Sequence, residues 1–126
     1  MIVGRRFTFC ASHTLPNHMG LCKNLHGHNY VLEVEVVGSI SLHENAGNGM
    51  VIDYSLLDEI IKREVISPLD HTNLNDIIPN PTAEHILTVI IGWLSRHVIF
   101  GSGPIRLHSI KLWETERSWA YWEAKH

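Results

Sequence analysis

Cys22-Lys-Asn-Leu-His26-Gly-His28-Asn-Tyr30-Val-Leu32-Glu-Val34-Glu-Val36-Val37 decides how this chain folds. From His28 onward the even positions Tyr30, Leu32, Val34 and Val36 are apolar, while Glu33 and Glu35 take odd ones. Side chains alternate faces along a strand, so the pattern predicts a strand from about Gly27 to Val37 with one buried and one wetter side. The head of the same stretch carries a thiol and two imidazoles. At a strand start His26 and His28 point to one side, and Gly27 leaves room for a close approach.

Upstream, Phe7, Phe9, Ala11 and His13 share one parity, which predicts a first strand from about Ile2 that ends at Leu15-Pro16-Asn17. Pro16, Asn17, Gly20 and Asn24 make the intervening segment a loop. Cys10 has the opposite parity to His13 and reads as a small buried residue. Downstream, Ser39 to Gly49 is a polar connection, read as a hairpin loop or a disordered tip, and Met50 to Ile52 a brief extended segment. Asp53 or Ser55 caps a helix through about Val65 with the stripe Leu56, Leu57, Ile60, Ile61 and Val65, and Pro68 closes it. Leu69 to Asp76 reads as loop. Thr82 caps a second helix with the stripe Ala83, Ile86, Leu87, Ile90, Ile91 and Leu94, and Gly101-Ser-Gly103-Pro104 ends that unit. Ile105 to Thr115 and Trp119 to Glu123 are the last strands.

This order predicts an α+β domain over residues 1–126, a four-stranded antiparallel sheet with two helices on one face. Open sheet edges favour association, so an oligomer is expected. The length suffices for one core. A net charge of −3 gives no basic field for nucleic acid. No apolar run approaches the roughly 20 residues of a membrane span, and the first residues lack the apolar core of a signal peptide. Two cysteines make no disulfide framework, so a reducing cytoplasmic setting is expected. Ten histidines are the compositional oddity.

His13, His26 and His28 together suit a zinc ion with an open position, the pattern of catalytic rather than structural sites. Cys22 then serves as a base whose thiolate is favoured by Lys23 or the metal. Spacing alone leaves a second possibility, a closed structural zinc with Cys22 as fourth ligand. Asp70-His71 could relay a proton, although a braced turn with an exposed imidazole explains the pair as well. Glu114 either sits at the sheet rim in water or receives an N–H-rich ligand.

Read in order, Phe7-Thr-Phe-Cys-Ala-Ser-His13, Cys22-x-x-x-His26-Gly-His28-Asn-Tyr30, Gly49-Met-Val-Ile-Asp53-Tyr, Leu69-Asp70-His71-x-x-Leu-Asn75, Asn80-Pro-Thr82-Ala-Glu84 and Trp113-Glu114-Thr115 resemble the 6-pyruvoyltetrahydropterin and 6-carboxytetrahydropterin synthase family. The resemblance spans about residues 5 to 122. It implies the tunnelling fold, ββααββ, with sheets closed into a barrel and typically a homohexamer of two trimers. It also implies zinc on His13, His26 and His28, Cys22 as general base, and Asp70 and His71 as relay partners from a neighbouring subunit. Glu114 would anchor the pterin, with Thr115 and Thr82 as lesser substrate contacts.

The short spacer between Cys22 and His26 looks like the bacterial carboxy enzymes of queuosine (7-deazaguanine) biosynthesis. The retained Cys22 argues against the variant that carries glutamate there and feeds folate synthesis. His85 departs from the asparagine that often follows the Pro-Thr-x-Glu motif. The expected activity is conversion of 7,8-dihydroneopterin triphosphate to 6-carboxy-5,6,7,8-tetrahydropterin with release of acetaldehyde and triphosphate. The alternatives are triphosphate elimination without carbon–carbon cleavage, or a non-catalytic zinc-stabilised binding module. Lys23, Arg5, Arg6, Arg106 and Arg117 are the cations available for the phosphates.

Overall fold

The computed structural model describes residues 1–43, 47–101 and 103–125. Strands β1 (Ile2–His13) and β2 (His26–Val37) pair antiparallel over their whole lengths, from Ile2 opposite Val37 to His13 opposite His26. This register puts Phe7, Phe9 and Ala11 on the same face as Tyr30, Leu32, Val34 and Val36, all buried. The period-two pattern therefore does what it predicts: one face is excluded from water and the other carries Arg6, Glu33 and Glu35. β4 (Arg106–Thr115) adds to the far side of β2, and β5 (Ser118–Glu123) to β4.

Two helices supply the opposing layer. α1 (Tyr54–Ile61) starts at Asp53, whose carboxylate accepts the Ser55 N–H at 2.8 Å. It buries Leu57, Ile60 and Ile61. α3 (Ala83–Ser95) starts at Thr82, whose hydroxyl oxygen accepts the His85 N–H at 3.1 Å, and buries Ile86, Leu87, Ile90 and Leu94. Capping side chains satisfy N–H groups that the first helical turn leaves without partners.

Several sequence expectations need correction. The first helix does not close at Pro68. It continues through a widened turn, Lys62–Ile66, into α2 (Ser67–Leu69), with the Ser67 N–H reaching Lys62 O. Proline lacks an N–H and crowds the carbonyl one turn back, and a π-type turn just before it makes room. Met50 to Ile52 forms no strand; Val51 and Ile52 lie in a bend. The connection before it is hairpin-like, with Ser41 N–H to Met50 O at 2.9 Å and Gly49 N–H to Ser41 O at 2.8 Å. Its tip at residues 44–46 lies outside the described residues, as does Ser102. A short helix, α4 (Val98–Gly101), precedes the Gly-Pro segment.

Among the described residues the sheet has five strands, with β3 (Thr72–Asn73) at one edge, in the order β3-β1-β2-β4-β5. The extra one, β3, pairs parallel with Ala11 and Ser12, so the sheet is mixed rather than the expected four antiparallel strands. A two-residue strand inside a polar loop has no periodicity to betray it. Its neighbours extend the contact. The Cys10 N–H donates to Asp70 Oδ1 at 2.9 Å and the His71 N–H to Cys10 O at 2.6 Å. Asn75 then holds both the N–H and the C=O of Thr14, at 2.8 and 3.0 Å. Residues 70–75 thus form a strap along the last third of β1. Cys10 itself is exposed, against the sequence reading of a buried residue, because its face of β1 is the one the helices leave uncovered.

Candidate metal centre and its surroundings

The β1–β2 register builds the centre. His13 and His26 are direct cross-strand partners, and His28 lies two residues along from His26 on the same face, within reach of bulky side chains. Their ring centroids are 4.5, 5.0 and 4.9 Å apart. One nitrogen from each ring falls within 4.8 Å of the others, and this is the one His/Cys/Asp/Glu cluster of that kind among the described residues. His13 is wholly buried. Gly27 is less critical than its place suggests, since a Cβ there would meet only the Ala11 carbonyl at 3.6 Å, an ordinary contact.

The hydrogen bonds around the rings fix the tautomers. His13 Nδ1 lies 2.8 Å from the Pro81 carbonyl and His26 Nδ1 2.7 Å from the Asn24 carbonyl. A carbonyl only accepts, so each ring donates from Nδ1 and, when neutral, keeps a lone pair on Nε2. Those two Nε2 atoms face each other at 2.9 Å. Two lone pairs at that distance repel unless a cation lies between them. His28 Nε2 is buried and has no hydrogen-bond partner, and Glu114 Oε1 lies 4.0 Å from it. Two imidazole nitrogens with unshared lone pairs and a third without a partner, gathered within 4.8 Å of one another, fit a zinc ion well. Burial also holds the His28 pKa below its usual value, with the Glu114 carboxylate opposing that shift. The neutral, ligating form is favoured.

Tyr30 forms the floor. It is fully buried, its ring 5.5 Å from that of His28, and its hydroxyl 3.5 Å from His13 Nδ1. Burial, then the Glu114 charge, pushes its pKa upward, so the phenol stays protonated. Sequence reasoning counted Tyr30 only as core. It equally missed Asn24 and Pro81, which act through backbone carbonyls and carry no residue-type signature.

A family model described as 6-pyruvoyl tetrahydropterin synthase matches residues 2–125. The chain belongs to that family. Among relatives, the 6-carboxy-5,6,7,8-tetrahydropterin synthase of Synechocystis is 35% identical over 90% of this chain and 86% of its own. The dihydroneopterin monophosphate aldolase of Pyrococcus furiosus is 34% identical over 86% and 85%. The solved 6-pyruvoyl tetrahydropterin synthase of Caenorhabditis elegans superposes with a TM-score of 0.81 at 24% identity, covering 99% of this chain and 96% of that one. That last likeness establishes the shared fold.

Within this pterin synthase family chain, the other candidate residues are dispersed. Cys22 occupies a 3-10 turn, Leu21–Lys23, is half-buried, and its sulfur is not among the atoms of the histidine cluster. Glu114 borders the cluster through His28. Asp70 and His71 pair at 2.9 Å, but on the strap, and the His71 side chain is 80% exposed at a positive φ of 58°. Thr115 accepts the Arg117 N–H at 3.2 Å and lines a groove of about 250 Å³ with Arg6, Asn29, Val31, Trp113 and Glu116. The Thr82 hydroxyl is engaged as the α3 cap. Of the candidate cations, Arg5 is held by Asp58 at 2.7 Å and Arg6 by Glu33 at 3.0 Å.

The strap yields a pH prediction. The Cys10 N–H first, and His71 second, hold the Asp70 carboxyl below its usual 3.8. A carboxyl lowered in the fold contributes stability above its unfolded value and loses it as pH falls through the folded one. The Cys10 amide proton shift is therefore expected to stay constant from pH 7 to about 4 and to move only below that. A transition near pH 6, or its persistence in Asp70→Asn, would show that this carboxylate does not hold the strand edge.

Proposed function

We propose that this chain is a zinc-dependent lyase that converts 7,8-dihydroneopterin triphosphate and one water to 6-carboxy-5,6,7,8-tetrahydropterin, releasing acetaldehyde and triphosphate. The carrying observation is the histidine cluster, with two Nε2 lone pairs opposed at 2.9 Å and a third Nε2 atom buried without a partner. Zinc bound there supplies Lewis-acid polarisation of substrate oxygens. His13, His26 and His28 hold it, oriented by the Pro81 and Asn24 carbonyls. Glu114, beside His28, accepts from the N–H edge of the pterin and so fixes the substrate against the cluster. Cys22 removes and returns side-chain protons, and His71, paired with Asp70, keeps the thiol poised from a neighbouring subunit. The exposure of His71 and the separation of Cys22 from the cluster suit a site completed by a second copy of the chain. A homohexamer of two trimers, with sheets joined into a barrel in the cytoplasm, is the proposed assembly. Thr115 and Thr82 are the lesser substrate contacts.

The carboxy product is favoured over the pyruvoyl one by the short spacer between Cys22 and His26, which also supports a place in queuosine (7-deazaguanine) biosynthesis. Incubation of the zinc-loaded enzyme with the triphosphate is expected to release acetaldehyde in step with triphosphate. Triphosphate without acetaldehyde, alongside a pyruvoyl pterin, would move the chain to the other branch. Turnover confined to a dihydroneopterin monophosphate would overturn the substrate.

A further inference from the structure

His13 has two polar neighbours at the same nitrogen, and only one of them demands a particular tautomer. The Pro81 carbonyl, 2.8 Å from Nδ1, can only accept and so requires a proton there. The Tyr30 hydroxyl, 3.5 Å from the same atom, accommodates either tautomer: it accepts from a protonated Nδ1, or donates to a bare one and so leaves the proton on Nε2. A proton on Nε2 removes the atom that faces His26 from metal ligation. His13 and Tyr30 are both fully buried, so the choice is made inside the protein.

We propose that the cap of α3, residues Asn80 to His85, selects the metal-binding tautomer of His13, with Thr82 and His85 as positioning residues that act through the Pro81 carbonyl. This rests on the reading of the three histidines as a metal site. The carbonyl is aimed by a closed set of bonds. Asn80 sits at a positive φ of 47°, in the left-handed region that asparagine enters more readily than other side-chain-bearing residues. Its carbonyl accepts two of those bonds, from the Thr82 N–H at 2.8 Å and from His85 Nδ1–H at 2.7 Å. The Thr82 hydroxyl oxygen accepts the His85 N–H at 3.1 Å, and the Thr82 carbonyl accepts the Ile86 N–H at 2.9 Å. Pro81, buried between them, has its φ fixed by its ring. Its carbonyl has little freedom to leave His13 while both flanking residues stay locked. The Thr82 side chain therefore belongs to the support of the centre, and His85 stands where its ring N–H closes the turn from outside. Loosening the cap lets the carbonyl drift, and the Tyr30 hydroxyl becomes the nearer partner.

The test uses the full chain with 15N-labelled histidine. Thr82→Ala is expected to weaken zinc binding about tenfold, the lower end of the range for lost outer partners of a ligating histidine, read by competition with a chromogenic chelator. In the zinc-free protein the His13 nitrogen shifts move toward the Nε2–H tautomer. His85→Ala moves both readouts the same way by less, and Thr82→Ser restores both. Adding Tyr30→Phe to Thr82→Ala returns zinc affinity toward the wild-type value, because the competing donor is gone. A Thr82→Ala protein that melts earlier yet keeps the wild-type tautomer and zinc affinity would overturn the proposal and leave the cap a helix support only. Failure of the metal reading shows separately, as a wild-type chain that holds no zinc or a His13→Ala variant that holds it equally well. The tautomer shifts then decide the cap by themselves.

Discussion

Cys22→Ala keeps its zinc and its fold while turnover falls by about 10²–10⁴, the contribution typical of a positioned acid–base group. The structural cost is small because the backbone does the work at this position. The Cys22 carbonyl accepts the Leu15 N–H at 2.8 Å, a bond that alanine retains, and the half-buried thiol lies outside the histidine cluster. Substitutions at such sites usually shift stability by no more than about 0.5 kcal/mol. A closed Cys-His₃ zinc makes the opposite forecast. It would lose the metal, and the roughly 10–16 kcal/mol that structural zinc can contribute to folding would go with it. Metal analysis, a melting curve and an acetaldehyde assay on this one variant separate a base from a ligand. Loss of zinc together with the fold would sink the catalytic assignment.

His28→Leu is expected to show the reverse pattern, no zinc and a more stable zinc-free protein. A buried polar atom without a partner costs about 1–3 kcal/mol, and His28 Nε2 is such an atom. Leucine is close enough in size to fill the space beside Tyr30 and carries nothing to leave unpaired. The zinc-free variant should therefore unfold at higher denaturant than zinc-free wild type, by about 1–3 kcal/mol. Zinc affinity should collapse, since two imidazoles remain where three converged. Retention of tight zinc binding would remove His28 from the ligand set. A lower denaturation midpoint without zinc would show that its nitrogen is satisfied in solution.

Much of the centre was legible because it depends on strand parity. Once β2 is read from Tyr30, Leu32, Val34 and Val36, the side occupied by His26 and His28 follows. The matching parity of Phe7, Phe9, Ala11 and His13 then brings the third imidazole onto the same buried face. The cluster is a consequence of two alternations in register. What escaped the sequence depends on backbone atoms or on the sheet's uncovered face. The Pro81 carbonyl orients His13 from 68 positions away in the chain and has no side-chain signal. β3 is two residues long, too short for any period, and is held by the Asp70, His71 and Asn75 bonds around it. Pro68 looked like a stop because a regular helix cannot accommodate it, whereas the widened turn at Lys62–Ile66 can. Cys10 looked buried because cysteine usually is, yet its parity sends it to the face without helices.

The strap along β1 has one more consequence, for how sheets can be spliced. The backbone groups of Cys10 and Thr14 turn outward, away from β2, and the strap occupies them. By the alternation of an antiparallel ladder, those of Thr8, Arg6 and Gly4 turn outward as well, on a stretch of edge that β3 does not reach. An incoming strand can lie along that lower stretch and no further, because His71 stands where the next bond would form. The strap is thus a doorstop. It limits how far one sheet may slide past another, and so bears on the stagger of any ring they close. It also leaves an exposed imidazole standing at the end of that open edge.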